Sequence, residues 1–290
     1  MGGSLFGVGL SPAAGPGTDP VRDAVAAEEL GFDFVSTSDH PCGDSPTHET
    51  WTMLTWVAAA TSRIHIATRV LGVPYRPPAM VAKMAETLHR LSGGRLILGL
   101  GGGHSDDEFR AFGLDVPSPR EKVDGMTDAV HILRGLWSQQ RFTYRGDRYH
   151  TQAAELEPKP DTPIPIWLGT YGPRALAATG RLADGWIPSL GFAPPEQATA
   201  MRERVLAAAA EAGRDPAEIA CVYNVPVWID GPEDDAAVLG GPAQAVVERL
   251  TGFAKLGFTS FNFMPAGPEP HTQTERLAHE VLPALRAALS

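Results

Sequence analysis

Two histidines stand where a predicted strand gives way to a loop. His40 ends the stretch FDFVSTSDH, directly after Asp39, and His104 follows the glycine run Gly101-Gly102-Gly103. An imidazole can take or give a proton near neutral pH, so either residue could serve an acid–base step. Asp39 could contact a bound cofactor or orient a neighbour. Asp-His-Pro is also ordinary turn chemistry, and position alone supports both readings. The glycines before His104 let a backbone approach a flat ring or a phosphate closely. His104 would then point across a pocket towards His40. It could equally be no more than a neighbour of the cap of the helix SDDEFRAF, at Ser105 or Asp106. Glu108 lies in that helix's first turn, where a carboxylate favours the dipole, so it reads first as structural.

A third constellation is GTYGPRAL, from Gly169 to Leu176. A strand ends at Gly169 and Pro173 opens a helix. Backbone amides at such a start can hold an anion, with the dipole adding to them. The segment Gly169, Thr170, Tyr171 and Gly172 is therefore a candidate phosphate cradle, and Arg174 could add charge. It matches neither a Walker loop nor the dinucleotide fingerprint. Other chemistries lack their residues. HExxH, clustered metal ligands and the nucleophile elbow GxSxG are missing, so no metal is expected. Lys83, Lys122, Lys159 and Lys255 fall in helices or an insertion, not at strand ends. The six tryptophans, Trp56 among them, read as core or pocket wall.

These groups need a scaffold that brings strand ends together. Eight apolar runs read as strands: Leu5–Leu10, Phe32–Thr37, Ile64–Leu71, Arg95–Gly101, Ile164–Gly169, Gly185–Ser189, Ala220–Ile229 and Phe258–Phe263. Ala- and Leu-rich helical stretches separate them. Asp19-Pro20 is an N-cap followed by proline at the first helical position, and Gly31 is a natural stop. Continuous apolar runs are the mark of parallel strands buried on both faces. Eight such units in 290 residues predict a single domain, a (β/α)8 TIM barrel, ahead of a doubly wound sheet. Catalytic groups then come from the C-terminal strand ends. One connection, residues 138–161, is too long for a plain loop; RFTY and RYH flank Arg145-Gly146-Asp147 as a small hairpin. This insertion precedes the fifth strand. It and the loop from Pro41 to Thr47 both could border the site.

The chain carries 34 acidic and 24 basic residues, a formal charge of −10. No basic face for nucleic acid is evident, and an acidic surface gives no help on anionic membranes. Two distant cysteines, Cys42 and Cys221, fit a reducing compartment. No signal peptide or membrane span is read, so a soluble, cytoplasmic protein is expected.

Four stretches in order, AAEELGFDFVSTSDH, IATRVLGVPYRPPAMVAKMAETLHRLSGGRLILGLGGG, REKVDGMTDAVHILRGLW and PIWLGTYGPRALAATGRLADGWIPS, resemble the luciferase-like monooxygenase superfamily over nearly the whole chain. The resemblance implies a flavin-type ring at the C-terminal mouth of the barrel and a homodimer. It implies a non-proline cis peptide in strand three, at Arg69-Val70, backing the ring, with Thr68 beside it. It places the phosphate at Gly169 to Gly172. Asp39-His40 looks like the branch that uses the deazaflavin coenzyme F420 for hydride transfer, where the histidine acts in proton transfer; FMN with oxygen is the alternative. A non-catalytic flavin-binding barrel ranks lower. The sequence departs from the branch's sugar-phosphate dehydrogenases. His104 stands where they carry Glu, PCGDSPTHE lacks their Trp, and Pro188-Ser189-Leu190-Gly191 lacks their lysine. Glucose 6-phosphate is thus a poor guess, and a small or moderately apolar organic substrate is expected.

Overall fold

A computed structural model describes residues 3–289. Eight parallel strands among them close into a barrel: β1 (Phe6–Gly9), β2 (Phe34–Thr37), β3 (His65–Thr68), β4 (Leu96–Gly101), β5 (Ile166–Leu168), β6 (Gly185–Trp186), β7 (Ala220–Ile229) and β8 (Ser260–Pro265). Each pairs in parallel with the next. β7 pairs with both β6 and β8, and β8 pairs with β1, which closes the ring. The eight runs expected from sequence are these eight strands, mostly trimmed at their ends.

The helices are α1 (Pro20–Glu29), α2 (Thr50–Ala60), α3 (Pro78–Leu91), α4 (Pro119–Ser138), α5 (Pro173–Leu182), α6 (Pro195–Glu211) and α7 (Ala243–Lys255). A C-terminal helix, α8, runs through Pro270–Arg276, Leu277–Val281 and Leu282–Leu289. Their starts follow the caps in the sequence. Asp19 accepts the amides of Val21 and Arg22 ahead of α1, and Gly31 beyond its end has φ +84°. Ser118 and Glu121 form a reciprocal capping box on α4.

Inside the barrel Phe34, Ala67, Ile97, Trp167, Ile187 and Val222 pack together. Phe34 meets Trp167 edge-on, with ring centroids 5.5 Å apart. Gly7 is required here, because a Cβ would stand 2.2 Å from the Phe34 ring. Each such side chain contributes about 1.5–3 kcal/mol by leaving water. The plug fills the lower barrel and leaves the cleft at its upper end.

The structure departs from the sequence reading in two places. Strand three does not run unbroken to Leu71. Its pairing stops at Thr68 and the ladder resumes at Leu71–Gly72 against β4; between them Arg69-Val70 is a non-proline cis peptide, as the resemblance implied. The insertion does form a hairpin, Phe142–Arg145 with His150–Ala154, but it docks on α4. Its anchor is the buried Asp128 carboxylate, which accepts the Tyr144 hydroxyl at 3.0 Å and the Arg148 and Tyr149 amides at 2.7 and 3.0 Å. Trp56 is not core: it lies 72% exposed on α2, where it walls a surface hollow beside α1 and away from the barrel mouth.

Candidate active site

The strand ends surround a cleft of about 280 Å³ at the barrel mouth. It is lined by Asp39, His40, Arg69, Val70, Gly101, Gly102, Gly103, His104, Gly169 and Tyr171, all singled out from sequence. Ser38, Gly72, Tyr75, Ile187, Ser189, Phe192 and Asn224 complete the wall. Neither the insertion nor the loop from Pro41 to Thr47 supplies a lining residue, contrary to expectation.

His40 is half-exposed at the rim, and its orientation is fixed from behind. Its Nδ1 lies 2.8 Å from Oε1 of Glu108. The other Glu108 oxygen accepts the Tyr75 hydroxyl at 2.6 Å. Glu108 is therefore not merely a helix-dipole carboxylate. The short helix Asp106–Ala111, capped by Ser105, turns it back towards β2. With Nδ1–H donated to a carboxylate, Nε2 of His40 is the acceptor left for a proton from the cleft. Burial, with Glu108 beside it, pushes the Tyr75 hydroxyl well above the usual phenol range, so Tyr75 stays a donor. Sequence reasoning missed this role because Glu108 and Tyr75 are distant in the chain. The available signal was an acid one helical turn beyond the glycine run.

Asp39 is buried and already engaged. Its carboxylate accepts the Gly72 amide at 2.9 Å and the Arg76 guanidinium at 2.8 and 3.1 Å. Arg76 also bonds Glu49, the residue that caps α2. Burial lowers the Arg76 pKa, but the hydrogen bonds it donates to Asp39 and Glu49 outweigh that and raise the group overall. Asp39 thus locks the segment after the bulge to the strand end that carries His40.

The glycines fit this chain's own packing. A Cβ on Gly101 would stand 2.6 Å from the Val70 side chain, and one on Gly169 would stand 3.2 Å from it. A Cβ on Gly99 would meet the Thr68 carbonyl at 1.9 Å. These glycines clear the space that the bulge occupies, and Val70 forms the back of the cleft. Gly103 has φ +86°, and a Cβ there would collide with the Phe109 ring at 2.2 Å. His104 is placed as expected, edge-on to His40 at 6.5 Å, and it also meets Phe192 at 5.6 Å.

Three sequence candidates stand outside the lining. The Thr68 hydroxyl donates to the Gly99 carbonyl at 2.6 Å beneath the bulge. Thr170 is bonded to Thr179 at 2.8 Å. Gly172 is the N-cap of α5, without a side-chain cap. There Leu176 is the first amide with a helical acceptor, the Gly172 carbonyl. The amides of Arg174 and Ala175 precede it and face outward with the positive end of the dipole. Arg174 adds no free charge, because Asp124 holds it.

Below the rim lies a buried polar seam. Ser36 donates to Asn262 at 2.9 Å, Asn262 to Asn224 at 2.9 Å, and Asn224 to Ser189 at 3.1 Å. The Ser189 amide donates to the Tyr171 hydroxyl at 3.1 Å. Among the described residues, no group of His, Cys, Asp and Glu is arranged to hold a metal, and no helix is long and apolar enough to cross a membrane.

The family model for luciferase-like monooxygenases matches residues 5–246. An F420-dependent glucose-6-phosphate dehydrogenase of Kineococcus radiotolerans is 38% identical over 175 residues, covering 58% of this chain and 51% of that protein. The chain thus spans about half the length of that relative. A protein of the same name from Beutenbergia cavernae is 29% identical over 317 residues, covering 93% of this chain and 94% of its own. The structure superposes on an F420-dependent secondary alcohol dehydrogenase in complex with an F420-acetone adduct. The TM-score is 0.88 at 21% identity, with 98% and 99% of the two chains covered; at that identity the likeness speaks for the fold.

Proposed function

The chain belongs to the luciferase-like monooxygenase family, and from that membership we propose that it transfers a hydride between coenzyme F420 and a small organic substrate. The observation that carries this reading is the His40–Glu108–Tyr75 arrangement at the edge of a cleft backed by Val70. It is a proton-transfer device beside a slot open at the barrel mouth. The relatives' names supply the cofactor class.

The residues present suit such a cofactor. Val70 and the glycines around it offer a smooth back wall for a planar ring, and the start of α5 offers unbonded amides for an anionic tail. When bound, F420 supplies a two-electron hydride acceptor or donor. The protein supplies the proton. For oxidation of an alcohol, Nε2 of His40 accepts the hydroxyl proton as the carbon gives up its hydride. Glu108 stabilises the imidazolium that forms and Tyr75 holds Glu108 in place. For reduction, the protonated His40 returns the proton to the developing oxygen. His104 and Phe192 flank this point. The lysine expected of a sugar-phosphate dehydrogenase is replaced by Pro188-Ser189-Leu190-Gly191, so the substrate differs from glucose 6-phosphate.

Titration of the purified protein with F420 and with FMN, followed by fluorescence, tests the cofactor. Saturable binding of F420 with weaker binding of FMN is expected. Tight FMN binding with oxygen consumption would replace this reading with a monooxygenase.

A further inference from the structure

The floor of the cleft contains a charge that nothing in the protein balances. The Arg69 guanidinium makes no hydrogen bond or ion pair with any described residue, and its Nε is buried without an acceptor. Burial draws the group down to about 10, and the Tyr171 hydroxyl works against that. It remains a cation at neutral pH. Arg69 is partly buried, with its Nε sealed off and the rest of the side chain lining the cleft, where a bound anion can reach it.

The surroundings sharpen what would satisfy it. The carboxylate in the wall, Asp39, is taken by Arg76 and the Gly72 amide. Asn224 directs its carbonyl oxygen to Asn262 and its amide to Ser189. Tyr171 accepts the Ser189 amide, and its own phenolic hydrogen has no acceptor among the described residues. The floor thus presents unpaired donors, a guanidinium and a phenol, and no free carboxylate. Unpaired donors on the floor select an acceptor-rich anion there.

We propose that the Arg69 side chain, with the Tyr171 hydroxyl, binds a carboxylate of the substrate, so that this enzyme acts on an organic acid. The main chain of Arg69-Val70 still backs the cofactor slot; the assignment concerns the guanidinium alone. A carboxylate is favoured over a phosphate by charge. Among the lining residues Arg69 is the one permanent cation not already paired, and one cation balances a monoanion. A phosphate dianion would be left with a buried negative charge. The planar guanidinium also matches a carboxylate with two parallel bonds. This deepens the F420 reading, since it names the substrate class for the same cleft, and rests on it for the reaction but not for binding.

The test is calorimetric titration of the full chain, without cofactor and in carboxylate-free buffer, with benzoate, its neutral isostere benzamide, and inorganic phosphate. Benzoate is expected to bind at least tenfold more tightly than benzamide and more tightly than phosphate. Arg69→Gln is expected to abolish that preference, and Arg69→Lys to keep part of it. Equal binding of benzoate and benzamide by the unaltered protein overturns the proposal without any variant, so a folding defect in Arg69→Gln does not shield it. Tighter binding of phosphate than benzoate also overturns it, as does an Arg69→Gln protein with the full preference. Parallel fluorescence titration with F420 separates the two readings. Failure to bind F420 with benzoate still bound removes the hydride-transfer assignment alone. F420 binding without any benzoate preference, or with its affinity lost in Arg69→Gln, assigns the charge to the cofactor and removes this inference alone.

Discussion

Replacing Glu108 with glutamine keeps its shape and removes its charge. In the structure this carboxylate takes bonds of 2.8 Å from His40 and 2.6 Å from Tyr75, with its side chain 14% exposed and that of His40 48% exposed. Partners that orient a reactive imidazole from behind are worth about 10- to 100-fold, or about 1.4–2.7 kcal/mol of transition-state stabilisation. The open face of His40 argues for the lower half of that range. Removing His40 outright should cost more, about a hundredfold or beyond. Glu108 acts through His40, so the two losses should not multiply. His40→Ala with Glu108→Gln should be about as slow as His40→Ala alone. The assay is the initial rate of F420 reduction by an alcohol substrate, with kcat and KM separated and F420 affinity measured on each variant. The expected result is a fall in kcat with cofactor affinity unchanged. Multiplicative losses in the double variant, or full turnover in His40→Ala, would refute the coupled proton-transfer device.

Two further outcomes follow from the packing. Gly103→Ala should destabilise the protein by about 1–3 kcal/mol, since φ is +86° and the added methyl meets Phe109; chemical denaturation measures it, and F420 affinity should fall with it. Glu28 sits at the opposite end of the barrel, accepting the Ser62, Arg63 and Ile64 amides. Burial raises its carboxyl, but these amides and the Ser62 hydroxyl outweigh it and hold it at about 2, below the ordinary 4.5. A depressed carboxylate stabilises the fold above its unfolded pKa and loses that contribution as the pH falls through the folded value. Discounted for solvent screening, the contribution is about 1–2 kcal/mol. The stability gap between the unaltered protein and Glu28→Gln should therefore be full at neutral pH and shrink from about pH 4.5 towards pH 2. A gap independent of pH would rule the mechanism out.

The barrel was legible because the strands are short, mostly apolar runs set between helices with readable caps, as at Asp19-Pro20 and Gly31. The mouth residues were legible by position, since strand ends converge in this architecture. What stayed hidden was the partnering. Glu108 looks like a dipole residue until a short helix folds it onto His40. Asp39 looks like a ligand contact until Arg76 arrives from beyond the bulge. The glycines of GLGGGH suggest room for a ring, yet much of that room is taken by Val70 and Phe109. Thr68 and Thr170 lie at the right strand ends and point away from the cleft. Side-chain direction at a strand terminus depends on a register of one residue, which a single apolar run does not specify.

The central claim is direct hydride transfer with His40 managing the proton. Its most direct measurement is a single turnover with a substrate alcohol deuterated at the carbinol carbon, under air, with mass analysis of the reduced F420 and simultaneous oxygen readings. The account predicts one deuterium on the cofactor ring, slower turnover than with the protiated alcohol, and no oxygen uptake. Deuterium lost to solvent, or oxygen consumed in step with product, would contradict it.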